Sequence, residues 1–347
     1  MSELKYQPLT KEQVIDAIER RNHSTPPMFL HKFWGAGLLD KYGDALTSLA
    51  AQYPDDVFAA WHIQPGFDKS TTNNPNYRFG YKDDYSQAAK HSIGEYMVLM
   101  DSWDDFDLFL DSLPNPYEEG TFDHIKKDLE QADSRYKLGC FWSIFHEKFW
   151  EIRGMENLFV DYYEHMDELK ILGQKFLEFH KGIISRYAEL GFDGIFSSDD
   201  LGHQSGPLMS PSVFEELYFP LYKELIDFTH SKNMHFWLHS CGDNTLLMDY
   251  LIQAGLDVLH PIQKHCMDEE KIIKQYGDSI SFLYGIDVQQ LLPNGTTDDV
   301  RNEVRRMKAL FQNRQGGLLL GAGNGIMPDT PLENIDAFLD EICSGRQ

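Results

Sequence analysis

The sequence predicts a (β/α)8 barrel, and three observations point to it. The 347-residue chain carries eight short apolar runs, near residues 28, 57, 138, 193, 235, 256, 280 and 317, most of them followed by a helical pattern. Repeated strand-helix units give a parallel sheet, and eight of them over this length fit a barrel, so residues 1–347 read as one barrel domain. No Gly-x-Gly-x-x-Gly turn follows the first run, which counts against a doubly wound open sheet, the alternative.

In chain order, Thr10-Lys-Glu-Gln13 is a capping box that opens a helix, and Pro26-Pro27 ends it. The stretch Met28 to Phe33 reads as the first strand, and Val57 to His62 as the second, stopping at Pro65-Gly66. Residues 64–137 break the pattern. They read as an insertion between strands 2 and 3, a lid with a hairpin around Tyr81 to Met97. Regularity returns with Leu138 to Ile144, a long helical region from Met155 to Leu190, and a strand from Phe192 to Phe196. Ser210-Pro211 caps a helix running to Lys232 that Pro220 should kink. A short strand ends in His239-Ser-Cys241, and a helix starting at Asp243 or Asn244 closes at Gly255. Strands at Leu256 to His260, Ile280 to Tyr284 and Gly317 to Leu320 follow, and Thr330-Pro-Leu-Glu333 is a second capping box.

Composition narrows the function. A formal charge of −24 repels phosphate backbones and anionic lipids, so neither nucleic acid nor a membrane surface is an expected partner. With no run of 18 apolar residues and no apolar stretch after Met1-Ser-Glu-Leu-Lys-Tyr6, a cytoplasmic protein is expected. The four cysteines lie far apart, which excludes a disulfide scaffold and a zinc-ribbon spacing.

In such a barrel the active site lies at the C-terminal strand ends. Polar residues collect there: His31, His62, Asp199, Asp200, His239, Cys241, His260, Gln263, Asp287 and Asn324. On a strand, residues two apart share a face, so His239 and Cys241 present an imidazole and a thiol together. They are candidate ligands of a catalytic zinc that needs a third ligand and an open fourth position, or a thiolate-imidazole pair, or a satisfied histidine beside a buried thiol. Asp199 and Asp200 are candidate catalytic carboxylates, of which alternation sends only one into the mouth. Trp34 and Phe145 fall near strand ends as candidate pocket walls, with His31, Gln263 and Asn324 as further substrate contacts. The cluster Arg301, Arg305, Arg306 and Lys308 reads as a solvent-facing helix face.

Five ordered motifs carry a resemblance: Asp199 to Pro211, Leu238-His-Ser-Cys-Gly242, Gly255 to Gln263, Gly285-Ile-Asp287 and Asp329 to Asn334. With Ile152-Arg-Gly-Met-Glu-Asn157, they resemble the uroporphyrinogen decarboxylase superfamily, which implies a (β/α)8 barrel. The decarboxylases of that superfamily bind their polycarboxylate through arginines after the first strand, where this chain has Lys32 and Ala36, so a porphyrinogen fits poorly. The cobamide-dependent methyltransferase branch implies zinc on His-x-Cys and a later cysteine, and methyl transfer between a small methylated or methoxylated compound, or a thiol, and a corrinoid protein. His239 and Cys241 match the first two ligands. The third falls near Asn324, a poor zinc ligand, leaving Asp199, His260 or Asp287 as substitutes. The expected partners are a small-molecule substrate and a corrinoid protein, with a homodimer as one arrangement. A metal-independent decarboxylase of another acid and a non-catalytic ligand-binding barrel are the alternatives.

Overall fold

In the computed structural model, which describes residues 4–21, 25–63, 98–130 and 132–346, seven of the eight apolar runs are strands of one sheet. In sheet order these are β1 (Val57–Trp61), β2 (Tyr136–Cys140), β3 (Gly194–Ser198), β6 (His235–His239), β7 (Val258–His260), β8 (Ser281–Ile286) and β9 (Leu318–Ala322), every neighbouring pair parallel. Between β3 and β6 runs a two-stranded antiparallel hairpin, β4 (Gly202–His203) and β5 (Gly206–Pro207). The barrel architecture expected from the strand spacing is the one observed.

The eighth position is filled differently. Met28 bridges Leu320 of β9, with Phe29 donating to the Leu320 carbonyl at 3.0 Å and Asp56 donating to the Met28 carbonyl at 3.0 Å. Residues 27–30 thus sit between the two edges of the sheet, but His31–Phe33 turn into a 3-10 helix rather than continuing a strand. The cause lies in two carboxylates. Asp56 accepts the amides of Leu9 (2.8 Å) and Met28 (2.5 Å), and Asp55 those of Leu30 (2.7 Å) and His31 (2.9 Å). Side-chain oxygens replace much of the backbone ladder toward β1, so the chain has no need to stay extended.

Helices cover the sheet: α1 (Lys11–Ile18), α2 (Leu38–Ala50), α3 (Phe106–Asp111), α4 (Asp123–Leu129), α5 (His146–Arg153), α6 (Met155–Glu164) and α7 (Met166–Glu189). Then follow α8 (Pro211–Val213), α9 (Phe219–Ser231), α10 (Met248–Ala254), α11 (Glu269–Tyr276), α12 (Leu291–Asn294), α13 (Thr297–Leu310) and α14 (Leu332–Cys343). The Thr10 capping box of α1 is present. At α14 the expected box is not: Pro331 is the N-cap residue and the Thr330 hydroxyl has no partner among the described residues. The expected kink near Pro220 is a π-turn over Phe214–Tyr218, since a proline cannot donate the amide bond that would continue the α-helix. Of the expected lid, residues 64–97, with the hairpin, lie outside the described residues, while 98–130 include the short helices α3 and α4.

The basic face of α13 meets solvent as expected and also carries ion pairs. Arg305 pairs with both oxygens of Glu341 (3.0 and 2.8 Å), Arg301 with Asp340 (2.6 Å), and Lys308 donates to the carbonyls of Glu341 and Ile342. This face is exposed at Arg305 and also ties α13 to α14, while Arg306 pairs with Glu303 and Glu269.

Asp56 is fully buried, and Arg346 donates to it at 2.8 Å. Asp56→Ala strands that guanidinium and two amides, and is expected to cost about 3 kcal/mol of stability, read by urea unfolding.

Candidate metal and substrate site

Sheet register brings the site together. Ser198 of β3, His239 of β6 and His260 of β7 are successive register partners at the C-terminal ends of their strands. Just beyond β3, Asp199 and Asp200 point to opposite sides.

Asp199 turns outward and is fully buried. Its Oδ2 accepts the amides of Phe145 (3.2 Å) and His146 (2.9 Å) and the Tyr222 hydroxyl (2.6 Å), and its Oδ1 accepts the Glu147 amide (2.7 Å). Burial pushes its pKa up to about 6 against the pull of those donors. It anchors the first turn of α5, a favourable seat for a carboxylate, and no oxygen is left for substrate or metal.

Asp200 faces the barrel mouth. Its Oδ1 accepts the Cys241 amide at 2.8 Å and lies 3.6 Å from Nε2 of His239, which is 3.3 Å from the Cys241 sulfur. Ligand atoms of Asp200, His239 and Cys241 all fall within 4.8 Å of one another, a group able to hold a metal ion. An imidazole nitrogen, a thiol sulfur and a carboxylate oxygen make a set of three protein donors with room for a fourth ligand. Burial lowers the His239 pKa, keeping the imidazole neutral as ligation requires, and raises that of Cys241 above the ordinary thiol range.

The substitutes weighed for the third ligand sit elsewhere. His260 stands behind His239, the two Nδ1 atoms 2.7 Å apart, with its Nε2 2.8 Å from the Ala322 carbonyl. Asp287 is occupied by the amides of Gln289 (2.8 Å) and Gln290 (3.1 Å) and by His265 (3.2 Å). At the place expected for a second cysteine, Asn324 donates from Nδ2 to the Cys241 sulfur at 3.4 Å. Gln263 accepts the Gly242 amide at 2.6 Å and, with Cys241 and Asn324, lines a small side pocket. Gly242 has φ 86°, and a Cβ there would collide with the Gly202 carbonyl, so the loops after β3 and β6 touch backbone to backbone.

Asp200 and His239 line a cavity of about 290 Å³ whose walls also include Lys32, Trp34, Trp142, Glu147, Ser198 and Asn324, while Cys241 lines the side pocket, with Asn324 common to both. A larger cavity, about 400 Å³, is lined by Lys264, Glu269, Glu303 and Arg306, whose charges pair among themselves. Trp34 lies on the first cavity as expected, and His31 stacks on it from outside the lining set (ring centroids 5.5 Å apart). Phe145 does not reach the cavity: it is fully buried against His180 and Tyr222. Ser143, at φ 57°, turns the chain before it.

Two groups matter more here than the sequence suggested. Lys32 holds its ammonium 3.8 Å from the Trp61 ring and 3.9 Å from that of Trp142, and burial brings its pKa down to about 8. Among the described residues no carboxylate lies within 4 Å of it. Glu147 accepts from the Ser198 hydroxyl at 2.5 Å, and desolvation followed by the charges of Asp200 and Asp199 holds its pKa well above the carboxylate range, which favours the protonated form. A lone glutamate seven residues past β2 gave no periodic cue. Its position two residues after a strand-end aromatic run, Phe141 to Phe145, was the only hint.

The chain belongs to the uroporphyrinogen decarboxylase family, described as Uroporphyrinogen decarboxylase (URO-D), which residues 151–344 match. Among curated proteins it is 29% identical over 140 residues to a methylated-thiol–coenzyme M methyltransferase of Methanosarcina mazei, covering 39% of this chain and 34% of that protein. It is 31% identical over 152 residues to the methylcobamide:CoM methyltransferase MtaA of Methanosarcina barkeri, covering 44% of this chain and 41% of the other. The chain thus spans well under half the length of the curated relatives it matches. A solved methyltransferase from Methanosarcina mazei shares the fold along almost the whole chain, with a TM-score of 0.63, 16% identity and coverage of 97% of this chain and 98% of that one. Among the described residues no helix is long and apolar enough to cross a membrane.

Because Lys32 loses its charge as pH rises through about 8, tryptophan emission is expected to change with a midpoint near that pH. Lys32→Met should give a flat profile between pH 7 and 9.

Proposed function

We propose that this chain is a methyltransferase that moves a methyl group between a small methylated compound or thiol and a corrinoid protein, with a zinc ion held by Asp200, His239 and Cys241. The observation that carries the reading is the convergence of those three ligand atoms at the strand ends, with Asp200 and His239 lining the cavity there. The related proteins named as methyltransferases support the reaction class. The donor set suits zinc, which when bound would lower the pKa of a thiol or polarise the leaving group of a methyl donor.

The chain's own residues supply the rest. Lys32, charged at neutral pH, draws the anionic end of a small substrate toward Trp61 and Trp142. Glu147 holds a proton on the carboxyl oxygen that Ser198 does not engage, and in demethylation it gives that proton to the heteroatom the methyl group leaves. In the reverse direction it takes the proton back. Trp34 and Asn324 wall the cavity on the side of the last strand. A barrel open at the strand ends would present this mouth to a corrinoid protein, and residues 1–347 would act as one domain.

A metal-independent decarboxylase is the second reading, and Lys32 is the residue that favours it. Against it, the Asp200 carboxylate shares the cavity with Lys32 and disfavours a polycarboxylate.

Protein purified without chelator is expected to carry close to one zinc by elemental analysis, and Asp200→Ala, His239→Ala and Cys241→Ala each to lose it, while Asp287→Asn keeps it. Methyl transfer from methylcobalamin to small thiols, abolished by chelation and restored by zinc, is the matching activity assay. Trace zinc unchanged by Cys241→Ala would sink the metal part.

A further inference from the structure

The two buried histidines of this site are not equivalent. We infer that His260 is a positioning residue: through a relay ending at the Ala322 carbonyl, it fixes the tautomer of His239 that leaves Nε2 bare for a metal. This rests on the reading of Asp200, His239 and Cys241 as a metal centre.

A carbonyl oxygen has only lone pairs to offer, so the 2.8 Å contact between Ala322 O and His260 requires the proton on Nε2 of His260. A neutral imidazole carries one N–H, and His260, fully buried between Phe33 and Phe196, sits where a second proton would be a desolvated charge. Its Nδ1 is therefore a lone pair. Nδ1 of His239 approaches that lone pair to 2.7 Å, a distance at which two lone pairs repel, so Nδ1 of His239 is the donor. What remains on His239 is a bare Nε2, and Nε2 is the atom that lies 3.3 Å from the Cys241 sulfur and 3.6 Å from the Asp200 carboxylate.

Three consequences follow. His260 is excluded as a ligand, because both its nitrogens are engaged. The His239 ring is held in plane by a partner that cannot swing away, with Trp142 stacked against it at 5.7 Å. And the metal-binding nitrogen is prepared before any metal arrives, so binding does not have to displace a proton from Nε2. Partners of this kind to a ligating histidine are typically worth about 10- to 100-fold in metal affinity.

Two measurements test this. On wild-type, metal-free protein labelled with 15N-histidine, long-range 1H–15N correlation should show the proton of His239 on Nδ1 and that of His260 on Nε2. A proton on Nε2 of His239 overturns the inference. Cobalt(II) titration, read by its visible d–d bands, should give an affinity about 10- to 100-fold lower for His260→Leu, which can neither accept from His239 nor donate to Ala322. His260→Gln, whose amide can do both, should recover most of the loss. Equal affinities for wild type and His260→Leu overturn the inference, and circular dichroism checks that the variants are folded. Should His260→Leu not fold, the tautomer measurement on the wild type decides alone. Failure of the wild type to bind cobalt or zinc would instead overturn the metal reading, a result the tautomer measurement does not share.

Discussion

The buried carboxylate of Asp199 is the constraint on which the site depends. Three consecutive amides and one tyrosine hydroxyl converge on it, tying the start of α5 to the end of β3. A carboxylate this deep is tolerable only because every donor it meets is fixed in place and the helix dipole adds to them. What hangs on the joint is the loop after β2. That loop sets Trp142 against both Lys32 and His239, and delivers Glu147 to Ser198. Loosening Asp199 would displace Trp142 and Glu147 from these partners, although Asp199 itself does not line the cavity.

The barrel was legible because apolar runs and strand ends are local patterns, and so was the pairing of His239 with Cys241. What sequence could not show were the partners brought by distant segments. Met28 to Phe33 has the composition of a strand, but the oxygens of Asp55 and Asp56, more than twenty residues on, satisfy its amides and release it into a 3-10 turn. The choice between Asp199 and Asp200 depends on where β3 ends, and that endpoint decides which carboxylate faces the mouth. Phe145 sits near a strand end in sequence, yet Ser143 in a left-handed conformation sends it to the core. Lys32 drew notice as a missing arginine. Its indole cage comes from Trp61 at the end of β1 and Trp142 after β2, which no spacing rule connects.

In a chain with 55 acidic and 31 basic residues, the candidate site places a lysine beside two carboxyl groups. Among the described residues, the Lys32 ammonium sits against the Trp61 and Trp142 rings, with Asp200 and Glu147 on the same cavity. Cation-π attraction offsets part of the desolvation cost without neutralising the charge, so the lysine stays available to an incoming anion. The candidate metal-binding trio has its own asymmetry. With Asp200 and Asn324 around Cys241 in place of a second thiolate, the donor set is harder than one with two sulfurs, and hard oxygen donors widen the range of divalent metals a site accepts.

The contact between Gly202 and Gly242 gives the site a mechanical property. Asp200 comes from the loop after β3, and Cys241 from the loop after β6. The two loops are laced by Gly202 N to Cys241 O at 3.2 Å and Asp243 N to His203 O at 2.8 Å. Without side chains between them, the glycine backbones mesh like teeth, so neither loop can shift without carrying the other. Two of the three candidate ligand atoms therefore ride on a single rigid body. A displacement of either loop would translate Asp200 and Cys241 as a unit.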